Sequence, residues 1–458
     1  MEFKKPKNEN YCATVVEIKN IVPLFTVKGE ECKTIVGSSI FGNSVILGRD
    51  AKVGDIGVYF PAETKLSPDF LKYNNLYDKP ELNHDTTKKG YISEKGRIRA
   101  IKLQGNPSNG LFMPLVSVMI TLAYVGKLSF DITTDSFKVG DTFDEINDVP
   151  ICEKYIVIPQ YVKGERNKNM RKVARVSRLL DDQFRFHIKE TKHLGKFIHL
   201  LSPKRLVSYT YKIHGTSAVF SKVLVKKKLS WYQRFLQKLG ADIVTYEYDN
   251  LYASRKVIKN EFSLTEKVQN HFYKTDVWKD ANEIIKEYLT NGLTLYCEIA
   301  GFTKTGEIIQ SFKKVPFDYG CKDNEFRIYI YRITYTNLNG DVYEFSAKQV
   351  QNWCKERGLV DGKITVVPEL YYGTIEQYYP YFDGSDIELW KIELLKQMKK
   401  DFNEKDCYIC RNKLPEEGVV VRFDDVNFVD VYKLKSFRFV HGETEENDKG
   451  EINIEDIS

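Results

Sequence analysis

Short segments of alternating apolar and polar residues fill the first third of the chain, separated by Gly, Pro, Asn and Asp. Because successive side chains of a strand face opposite sides, this alternation predicts short, half-buried strands. The segments that carry the pattern are YCATVVEIKNIV, VGDIGVYFP, GRIRAIKLQG and GLFMPLVSV. Short strands at this spacing are typical of a small closed or nearly closed barrel. Residues 1–150 are therefore predicted to form a β-rich domain.

Beyond this region, predicted strands and helices are mixed. Strands are expected at VSYTYKI, LTLYCEIAG, EFRIYIYRITYT, EGVVVRF and DVYKLKSFRFV, and helices at WKDANEIIKEYLTNG, SAKQVQNWCKERG and IELWKIELLKQMKK. The mixture predicts an α+β domain over residues 151–440, with the boundary at NDVPICEKYIVIPQ. The acidic segment from residue 441 to residue 458 is predicted to be a flexible tail.

A further helix is predicted in the basic insert of residues 222–245. Ser230 is its expected N-cap, and Trp231, Phe235 and Leu239 recur at four-residue spacing. Packing of this apolar stripe on the domain is the favoured interpretation. The alternative is that the preceding lysines contact nucleic acid.

The composition is that of a soluble globular protein: the chain has 458 residues, of which 42% are hydrophobic and 29% are charged. It contains no apolar run of about 18 residues that could span a bilayer, and MEFKKPKNENY lacks the apolar core of a signal peptide. A cytoplasmic monomer without a membrane partner is therefore expected.

Charge and cysteine usage narrow the candidate partners. The net charge of +6 permits an anionic partner, and the basic run over residues 163–178 is a candidate phosphate track or a solvated face. Cys407 and Cys410 have no second cysteine pair that would complete a zinc site, so reduced thiols are expected. The histidines at 187, 193 and 199 are spaced so that a helix would scatter them, which argues against a shared metal.

The segment YTYKIHGT places Lys212 at the end of a predicted strand, just before a glycine turn. A lysine at a strand end is usually solvated. Gly215, however, would allow the backbone to approach a ligand closely. The rest of the chain has to decide between these two interpretations.

Five further charged residues lie at the ends or on one face of predicted strands. Arg255 follows a strand, Glu298 ends an apolar strand, and Glu417 precedes another. Lys433 and Lys435 share one strand face because strands have a period of two. Taken singly, each of these residues is explained as an ordinary charged side chain on the protein surface. Together they offer lysines for phosphate and carboxylates for ribose hydroxyls and a metal, as a nucleotide site requires.

In order, KIHGT, SR, EIAG, FRIY, EGVVVR and YKLK resemble motifs I, Ia, III, IIIa, IV and V of the covalent nucleotidyltransferases, specifically the ATP-dependent RNA ligases. KIHGT is similar to the branch of phage RNA ligase 2 and the RNA-editing ligases. GRIRAIKLQGNPSNGLFMPL resembles the N-terminal OB-fold domain of Deinococcus-type RNA ligases. The resemblance implies an OB-fold β-barrel that binds nucleic acid, followed by an α+β ligase domain.

This resemblance implies a role for each motif residue. Lys212 would attack the α-phosphate of ATP and form lysyl-AMP, which requires its neutral amine. Lys433 and Lys435 would hold the phosphates. Glu298 would accept a hydrogen bond from a ribose hydroxyl, with Arg255 helping on the same sugar.

The same resemblance assigns the metal and the base. Glu417 would bind Mg²⁺, or Mn²⁺, directly or through water. Tyr329 would stack on adenine, with Tyr331 as the alternative on the same strand face. Tyr211 stands where phage-type relatives have a glutamate that reads adenine, which leaves the origin of ATP selectivity open. His214 stands where many members of the superfamily have aspartate, so no role is assigned to it.

The implied activity is ATP-dependent joining of RNA ends, such as those of a nicked or broken duplex. Alternatives are a DNA ligase, a capping-type nucleotidyltransferase and an OB-fold RNA-binding protein without ligase activity. Because the motifs for lysyl-AMP formation all lie after residue 151, residues 1–150 are expected to be dispensable for that step and necessary for joining ends. Arg97, Arg99 and Lys102 are their candidate phosphate contacts.

Overall fold

A computed structural model describes residues 1–130, 132–157, 191–227, 229–255, 258–259, 273–380, 386–425 and 430–450. The basic run of residues 163–178 and His187 lie outside these residues. The domain boundary near residue 150 stays a prediction.

The elements of the first 157 residues are mostly short strands. In chain order they are β1 Ala13–Glu17, β2 Val22–Phe25, β3 Glu31–Ile40, β4 Asn43–Gly48, β5 Ile56–Pro61, β6 Thr64–Leu66, α1 Pro68–Tyr73, β7 Ile101–Leu103, β8 Asn106–Ser108, β9 Gly110–Pro114, α2 Leu115–Tyr124, β10 Thr142–Phe143, β11 Glu145–Ile146, β12 Val149–Pro150 and β13 Cys152–Lys154.

These strands form separate small sheets. One has the order β10-β1-β5-β9, another has the order β2-β3-β4, and the remaining strands pair two by two. Across the described residues of this region the strands do not close into a barrel, so the expected OB fold is not confirmed. One reason is that the segment predicted as a single strand, GLFMPLVSV, divides into β9 and α2. Leu115, Val118 and Leu122 lie on one helical face and are buried.

Strands and helices alternate in the remainder of the chain. They are β14 Lys192–His193, β15 Leu206–Tyr211, β16 Thr216–Lys226, α3 Trp231–Lys238, β17 Tyr246–Ala253, β18 Ile258–Lys259, α4 Val277–Ile285, β19 Leu293–Gly301, β20 Ser311–Phe312, β21 Val315–Pro316, β22 Phe326–Thr336, β23 Val342–Glu344, α5 Ala347–Glu356, β24 Ile364–Val366, β25 Glu369–Thr374, α6 Ile375–Tyr378, α7 Ile387–Phe402, β26 Gly418–Phe423, β27 Asp430–Lys435 and α8 Phe437–Asp448.

Two larger sheets organise this region. The first is five-stranded, in the order β14-β27-β26-β15-β25, and only its β14–β27 pair is parallel. The second is seven-stranded: β18-β17-β16-β19-β22-β23 follow one another, and β24 pairs with β22. The chain passes from the first sheet to the second between β15 and β16, which is the segment that contains Lys212. The predicted mixed α+β class is confirmed.

Each large sheet has a core on one face. Trp278 of α4 and Trp353 of α5 pack on the seven-stranded sheet. Trp390 and Leu394 of α7 pack on the five-stranded sheet. A third cluster, containing Tyr211, Ile213, Phe317, Tyr319, Tyr329 and Phe439, lies between the two sheets.

Helix α3 differs from its predicted packing. None of its residues is buried, and Trp231 is 77% exposed. The helix lies in the connection between β16 and β17, beyond their last paired residues, Lys226 and Tyr246. The N-cap prediction is confirmed, because the Ser230 side chain accepts a hydrogen bond from the backbone N–H of Gln233 at 3.2 Å.

The acidic C-terminal segment also differs from its prediction. Residues 441 to 448 belong to helix α8, and residues 451–458 lie outside the described part of the chain. Phe439, Val440 and Thr444 are buried on one side of α8, so its apolar face holds it against the rest of the protein.

Helices long and apolar enough to cross a membrane are absent from the described segments.

Candidate active site

Lys212 is positioned by the two sheets that meet around it. Its backbone N–H donates to the carbonyl oxygen of Gly418 at 3.0 Å, which ties it to the five-stranded sheet. Its neighbours Tyr211 and Ile213 are buried in the cluster between the sheets. Because strand neighbours point in opposite directions, the Lys212 side chain is left on the other side.

Gly215 explains the glycine of the KIHG segment. A Cβ atom at this position would lie 2.3 Å from the carbonyl oxygen of Ile299 and 2.9 Å from Cγ of Glu298. The glycine is therefore required by its close approach to β19. This approach also brings the Lys212 segment next to Glu298.

The buried carboxylate of Glu417 contacts two other predicted site residues, Lys212 and Lys435, and also His214. Oε1 of Glu417 lies 2.7 Å from Nζ of Lys212 and 3.4 Å from Nζ of Lys435. Nδ1 of His214 lies 3.5 Å from Oε2 of the same carboxylate. The Glu417 side chain is only 1% exposed. The charge pairs therefore lie largely away from bulk water.

Glu417 is held in its ionised form. Burial by itself raises the pKa of this carboxyl group, but the charges of Lys212 and then Lys435, together with His214, bring its pKa well below the usual range. Oε2 is buried, and the 3.5 Å that separates it from Nδ1 of His214 is longer than an ordinary hydrogen bond. It is therefore an anionic oxygen with capacity for a further cation or donor.

Lys433 and Lys435 lie on one face of β27, as predicted. Lys435 pairs with Gly418 in the register of β26 and β27, which places it beside Glu417. Oε2 of Glu443 on α8 lies 3.0 Å from Nζ of Lys435. Lys433 is 9% exposed. The sequence analysis missed Glu443 because it assigned this segment to a flexible tail.

A cleft adjoins the two lysines on the side of the N-terminal sheets. It is lined by Asn43, Tyr59, Glu63, His193, Lys196, Lys433, Lys435 and Glu443, among others. Burial, followed by the charges of Lys433 and Lys435, brings the pKa of His193 well below its usual value. His193 is therefore neutral at physiological pH, and the positive charge of the cleft comes from its lysines.

Glu298, Tyr329 and Tyr331 lie on the seven-stranded sheet. Glu298 pairs across the sheet with Ser217 on β16 and with Tyr329 on β22, and it is 9% exposed. Tyr329 is 1% exposed and packs edge-on against Tyr319, and burial raises its pKa to about 12. Its ring is enclosed by the core, which is unfavourable for stacking on a base.

Tyr331 is more exposed than Tyr329 on the same strand, at 38%. Burial of its hydroxyl and then the nearby Glu298 carboxylate raise its pKa, and the Ser217 side chain also lies close to it. A register shift between Tyr296 and Cys297 leaves Tyr331 opposite no single partner on β19. This geometry favours Tyr331 over Tyr329 as the aromatic group next to Glu298.

Arg255 follows β17 of the seven-stranded sheet, which also carries Glu298 on β19. It lines a cavity together with Tyr11, Lys65 and Lys154. Among the described residues, the lining of that cavity includes neither Lys212 nor Glu298. The predicted contact of Arg255 with the ribose stays a prediction.

His214 has a packing environment that the sequence did not reveal. Its ring lies edge-on to Phe317 at 5.1 Å and to Phe439 at 4.9 Å between centroids. Its backbone N–H donates to the Tyr319 hydroxyl at 2.6 Å. These contacts fix the turn between Lys212 and Gly215.

Groups of three or more His, Cys, Asp or Glu side chains suitable for a metal are absent from the residues that the structure covers. Glu417 is thus the one carboxylate that the sequence and the site geometry both offer for this role. A hard cation such as Mg²⁺ commonly takes one or two carboxylates and completes its shell with water and phosphate oxygens. The unsatisfied Oε2 of Glu417 fits such a ligand.

No family model matches the chain, and no curated protein matches it. Solved structures of Naegleria gruberi RNA ligase share its fold. The structure with PPi is 17% identical, covers 94% of this chain and 98% of its own, and has a TM-score of 0.54. A variant with AMP and Mn is 16% identical over 93% of this chain and 97% of its own, with a TM-score of 0.54. A variant with ATP and Mn is 16% identical over 96% and 100%, with a TM-score of 0.53.

Proposed function

We propose that this chain is an ATP-dependent RNA ligase that carries AMP on Lys212. The observation that supports it best is the shared carboxylate of Glu417, which lies 2.7 Å from Lys212 and 3.4 Å from Lys435 where the chain passes between two sheets. The fold is one that an RNA ligase solved with ATP, AMP or PPi also has. The ordered motifs of the sequence point to the same chemistry.

In the first step the neutral amine of Lys212 attacks the α-phosphorus of ATP. A P–N bond forms, the P–O bond to the β-phosphate breaks, pyrophosphate leaves with the bonding electron pair, and the proton that the nitrogen gives up passes to the pyrophosphate or to water. The ion pair with Glu417 stabilises the protonated ammonium, whereas the second cation, Lys435, disfavours it. The amine becomes nucleophilic when this proton is lost, so the balance between these charges governs the step.

Lys433 and Lys435 are the proposed phosphate ligands. Both lie on one face of β27 and line the cleft toward the N-terminal sheets. Their fixed positive charges stabilise the negative charge that accumulates on the phosphate oxygens. His193, which is neutral, leaves that charge to the lysines.

Glu417 is the proposed metal ligand, through its buried Oε2 atom. A bound Mg²⁺ or Mn²⁺ would neutralise phosphate charge. Glu417 also holds Lys212 and Lys435 in place through its other oxygen. We therefore expect a metal and the two lysines to compete for the same carboxylate.

Glu298 and Tyr331 are the proposed contacts to the nucleoside. The Glu298 carboxylate accepts a hydrogen bond from a ribose hydroxyl, and the ring of Tyr331 stacks on the base. Tyr329, the residue assigned from the motif, supports this surface from the core. Arg255, which follows β17 of the same sheet, is the further proposed contact to the sugar.

The remaining steps use RNA ends, and a nicked or broken duplex is the substrate that we propose. An oxygen of the 5′-phosphate attacks the phosphorus of lysyl-AMP, a P–O bond forms and the P–N bond breaks, which returns Lys212 to its amine. The 3′-hydroxyl then attacks the activated 5′-phosphate, loses its proton, and AMP leaves.

Incubation with α-labelled ATP and magnesium, followed by denaturing electrophoresis, tests the first step. Wild type should show a labelled band, whereas Lys212→Ala and Lys212→Arg should show none. Arginine keeps the charge near Glu417, but its guanidinium stays protonated and cannot attack. A full-strength adduct on either variant would refute the assignment of Lys212.

The labelling assay, together with a nick-sealing assay, distinguishes the alternative functions. A capping-type enzyme would label with GTP, and a DNA ligase would seal a nick with a DNA 3′-OH as well as one with an RNA 3′-OH. A binding protein without ligase activity would retain RNA and show no adduct. The RNA ligase requires ATP labelling and preferential sealing at an RNA 3′-OH.

A further inference from the structure

Helix α8 begins next to the backbone of Glu417. Its N-cap, Ser436, donates its backbone N–H to the carbonyl oxygen of Glu417 at 3.0 Å. The Ser436 side chain accepts the backbone N–H of Phe439 at 3.3 Å. The start of the helix is thus fixed relative to Glu417.

Glu443, in the middle of α8, forms an ion pair with Lys435 of β27. Nζ of Lys435 lies 3.0 Å from Oε2 of Glu443 and 3.4 Å from Oε1 of Glu417, so two carboxylates flank one ammonium. The ring of Phe439 lies 5.1 Å from the same ammonium and 4.9 Å from the His214 ring. The position of the helix therefore determines where the Lys435 charge is held.

Thr444, which follows Glu443 on α8, forms hydrogen bonds with the N-terminal region. The Thr444 hydroxyl donates to Oε1 of Glu63 at 2.8 Å and accepts the backbone N–H of Ala100 at 3.2 Å. Its carbonyl oxygen accepts Nη2 of Arg97 at 2.8 Å. Three hydrogen bonds thus converge on a single helical residue.

A buried ion pair reinforces this contact. Nη2 of Arg97 donates to Oε1 of Glu63 at 3.0 Å, and the Arg97 side chain is 2% exposed. At the end of the helix, Asn447 donates to Oε2 of Glu63 at 3.0 Å, and Asp448 lies 3.3 Å from Nη1 of Arg97. Arg97 is therefore engaged in this network and is not available for the predicted contact with RNA phosphate.

The helix has little room to move between its two contacts. A Cβ atom on Gly442 would lie 1.9 Å from the ring of Phe312, so the helix backbone lies directly against that ring. Glu443 and Thr444 are adjacent, so a displacement that disturbs one contact disturbs the other. The position of Lys435 is thereby tied to the N-terminal sheets.

We propose that Glu443 is a positioning residue for Lys435, and that the N-terminal region sets its position through Glu63, Arg97 and Thr444. The inference rests on the proposed lysyl-AMP chemistry and deepens it. It revises the expectation that residues 1–150 are dispensable for lysyl-AMP formation. Ground-state binding of ATP uses several groups, whereas the charge that accumulates on the reacting phosphate is sensitive to the placement of the Lys435 ammonium, so the effect falls on the rate more than on ATP affinity.

The test measures single-turnover labelling of Lys212 as a function of ATP concentration, in the full-length chain. Glu443→Gln should lower the maximal rate about tenfold or more and leave the half-saturating ATP concentration within about threefold. Thr444→Val should lower the same rate at least about threefold, and Thr444→Ser, which keeps the hydroxyl, should restore it. The double variant Glu443→Gln/Thr444→Val should lose less than the product of the two single losses.

Glu445→Gln is the matched control. Glu445 is the same residue type on the same helix, but it pairs with Lys313 at the surface, where the two side chains are 41% and 47% exposed. The maximal labelling rate of Glu445→Gln should equal that of wild type, because exposed ion pairs contribute little to stability.

The results separate the proposed chemistry from the proposed positioning of Lys435. Labelling of the wild type but not of Lys212→Ala establishes the chemistry independently of this inference. Given that result, wild-type rates in Glu443→Gln or in Thr444→Val overturn the inference, as does an equal rate loss in Glu445→Gln. If Glu443→Gln does not fold, the comparison of Thr444→Ser with Thr444→Val decides alone, with thermal unfolding confirming that both are native.

Discussion

Glu416 and Glu417 are adjacent buried carboxyl groups at the start of β26, and replacing each with glutamine tests the electrostatics of the site. Glu417 has two lysine partners, which hold its pKa well below the usual range against the effect of burial. Glu416 is 4% exposed, and burial raises its pKa to about 7. The two substitutions remove the same charge and should have opposite effects on the pH dependence of stability.

The magnitude for Glu417 follows from its distances. At 2.7 Å and 3.4 Å, and at an effective dielectric constant of about 20, the gross attractions to Lys212 and Lys435 are about 6 and about 5 kcal/mol. Desolvation offsets most of this attraction, and removal of one partner from a buried pair costs about 3–5 kcal/mol. The two lysine side chains are 18% and 14% exposed, so we expect a value near about 3 kcal/mol at neutral pH.

The signs follow from the two pKa directions. The pKa of Glu417 is depressed in the folded protein, so its stabilisation is fully present above the unfolded pKa of about 4.3 and is lost as pH falls through the folded pKa. The pKa of Glu416 is raised from 4.5 to about 7. Wild type therefore loses stability as pH rises through that interval, by about 3 kcal/mol in total.

Urea unfolding followed by tryptophan fluorescence measures these differences for wild type, Glu416→Gln and Glu417→Gln. Relative to wild type, Glu416→Gln should gain about 3 kcal/mol between about pH 4 and about pH 8. The deficit of Glu417→Gln should be full at about pH 7 and should shrink below about pH 4. A Glu417→Gln deficit under about 0.5 kcal/mol at neutral pH, or parallel pH profiles for the two variants, would refute the reasoning.

Three further results are expected. Tyr331→Ala should raise the half-saturating ATP concentration for labelling about tenfold, because stacking on a base is worth about 1–3 kcal/mol, whereas Tyr329→Phe should change it less than twofold; equal effects would reject the assignment. Gly215→Ala should abolish labelling and lower stability in urea by at least about 1–3 kcal/mol, since its Cβ would meet the Ile299 carbonyl oxygen at 2.3 Å. Arg97→Ala should cost about 3–5 kcal/mol in the same urea assay, and Arg99→Ala, which is exposed, less than about 1 kcal/mol; similar values for both would contradict the buried network.

The residues around Glu417 could be predicted from the sequence because strand pairing brings them together. Lys212 directly follows β15, Glu417 directly precedes β26, which pairs with β15, and Lys435 pairs with Gly418 on the other side of β26. The period of two places Lys433 and Lys435 on one strand face, whereas the grouping of Lys212 with Glu417 is implied by the resemblance to the ligase motifs.

Other features depend on contacts that a local pattern does not encode. The choice between Tyr329 and Tyr331 follows from a register shift on β19, and a strict two-residue alternation cannot reveal it. The acidic composition of residues 441–448 suggested a solvated tail, although Val440 and Thr444 have the four-residue spacing of a buried helical face. The apolar spacing of α3 is that of an amphipathic helix, and it does not show that the helix lies in the β16–β17 connection with none of its residues buried.

The segment from Lys212 to Gly215 is the covalent connection between β15 and β16, with one end bonded to the five-stranded sheet and the other packed on the seven-stranded sheet. A nucleotide attached to Lys212, with its phosphate toward β27 and its sugar toward Glu298, would contact both sheets at once. A group that binds two layers only when they are closed together stabilises that closed arrangement. Backbone amides of β19 and β26 should therefore exchange with deuterium more slowly after adenylylation, and they should slow together.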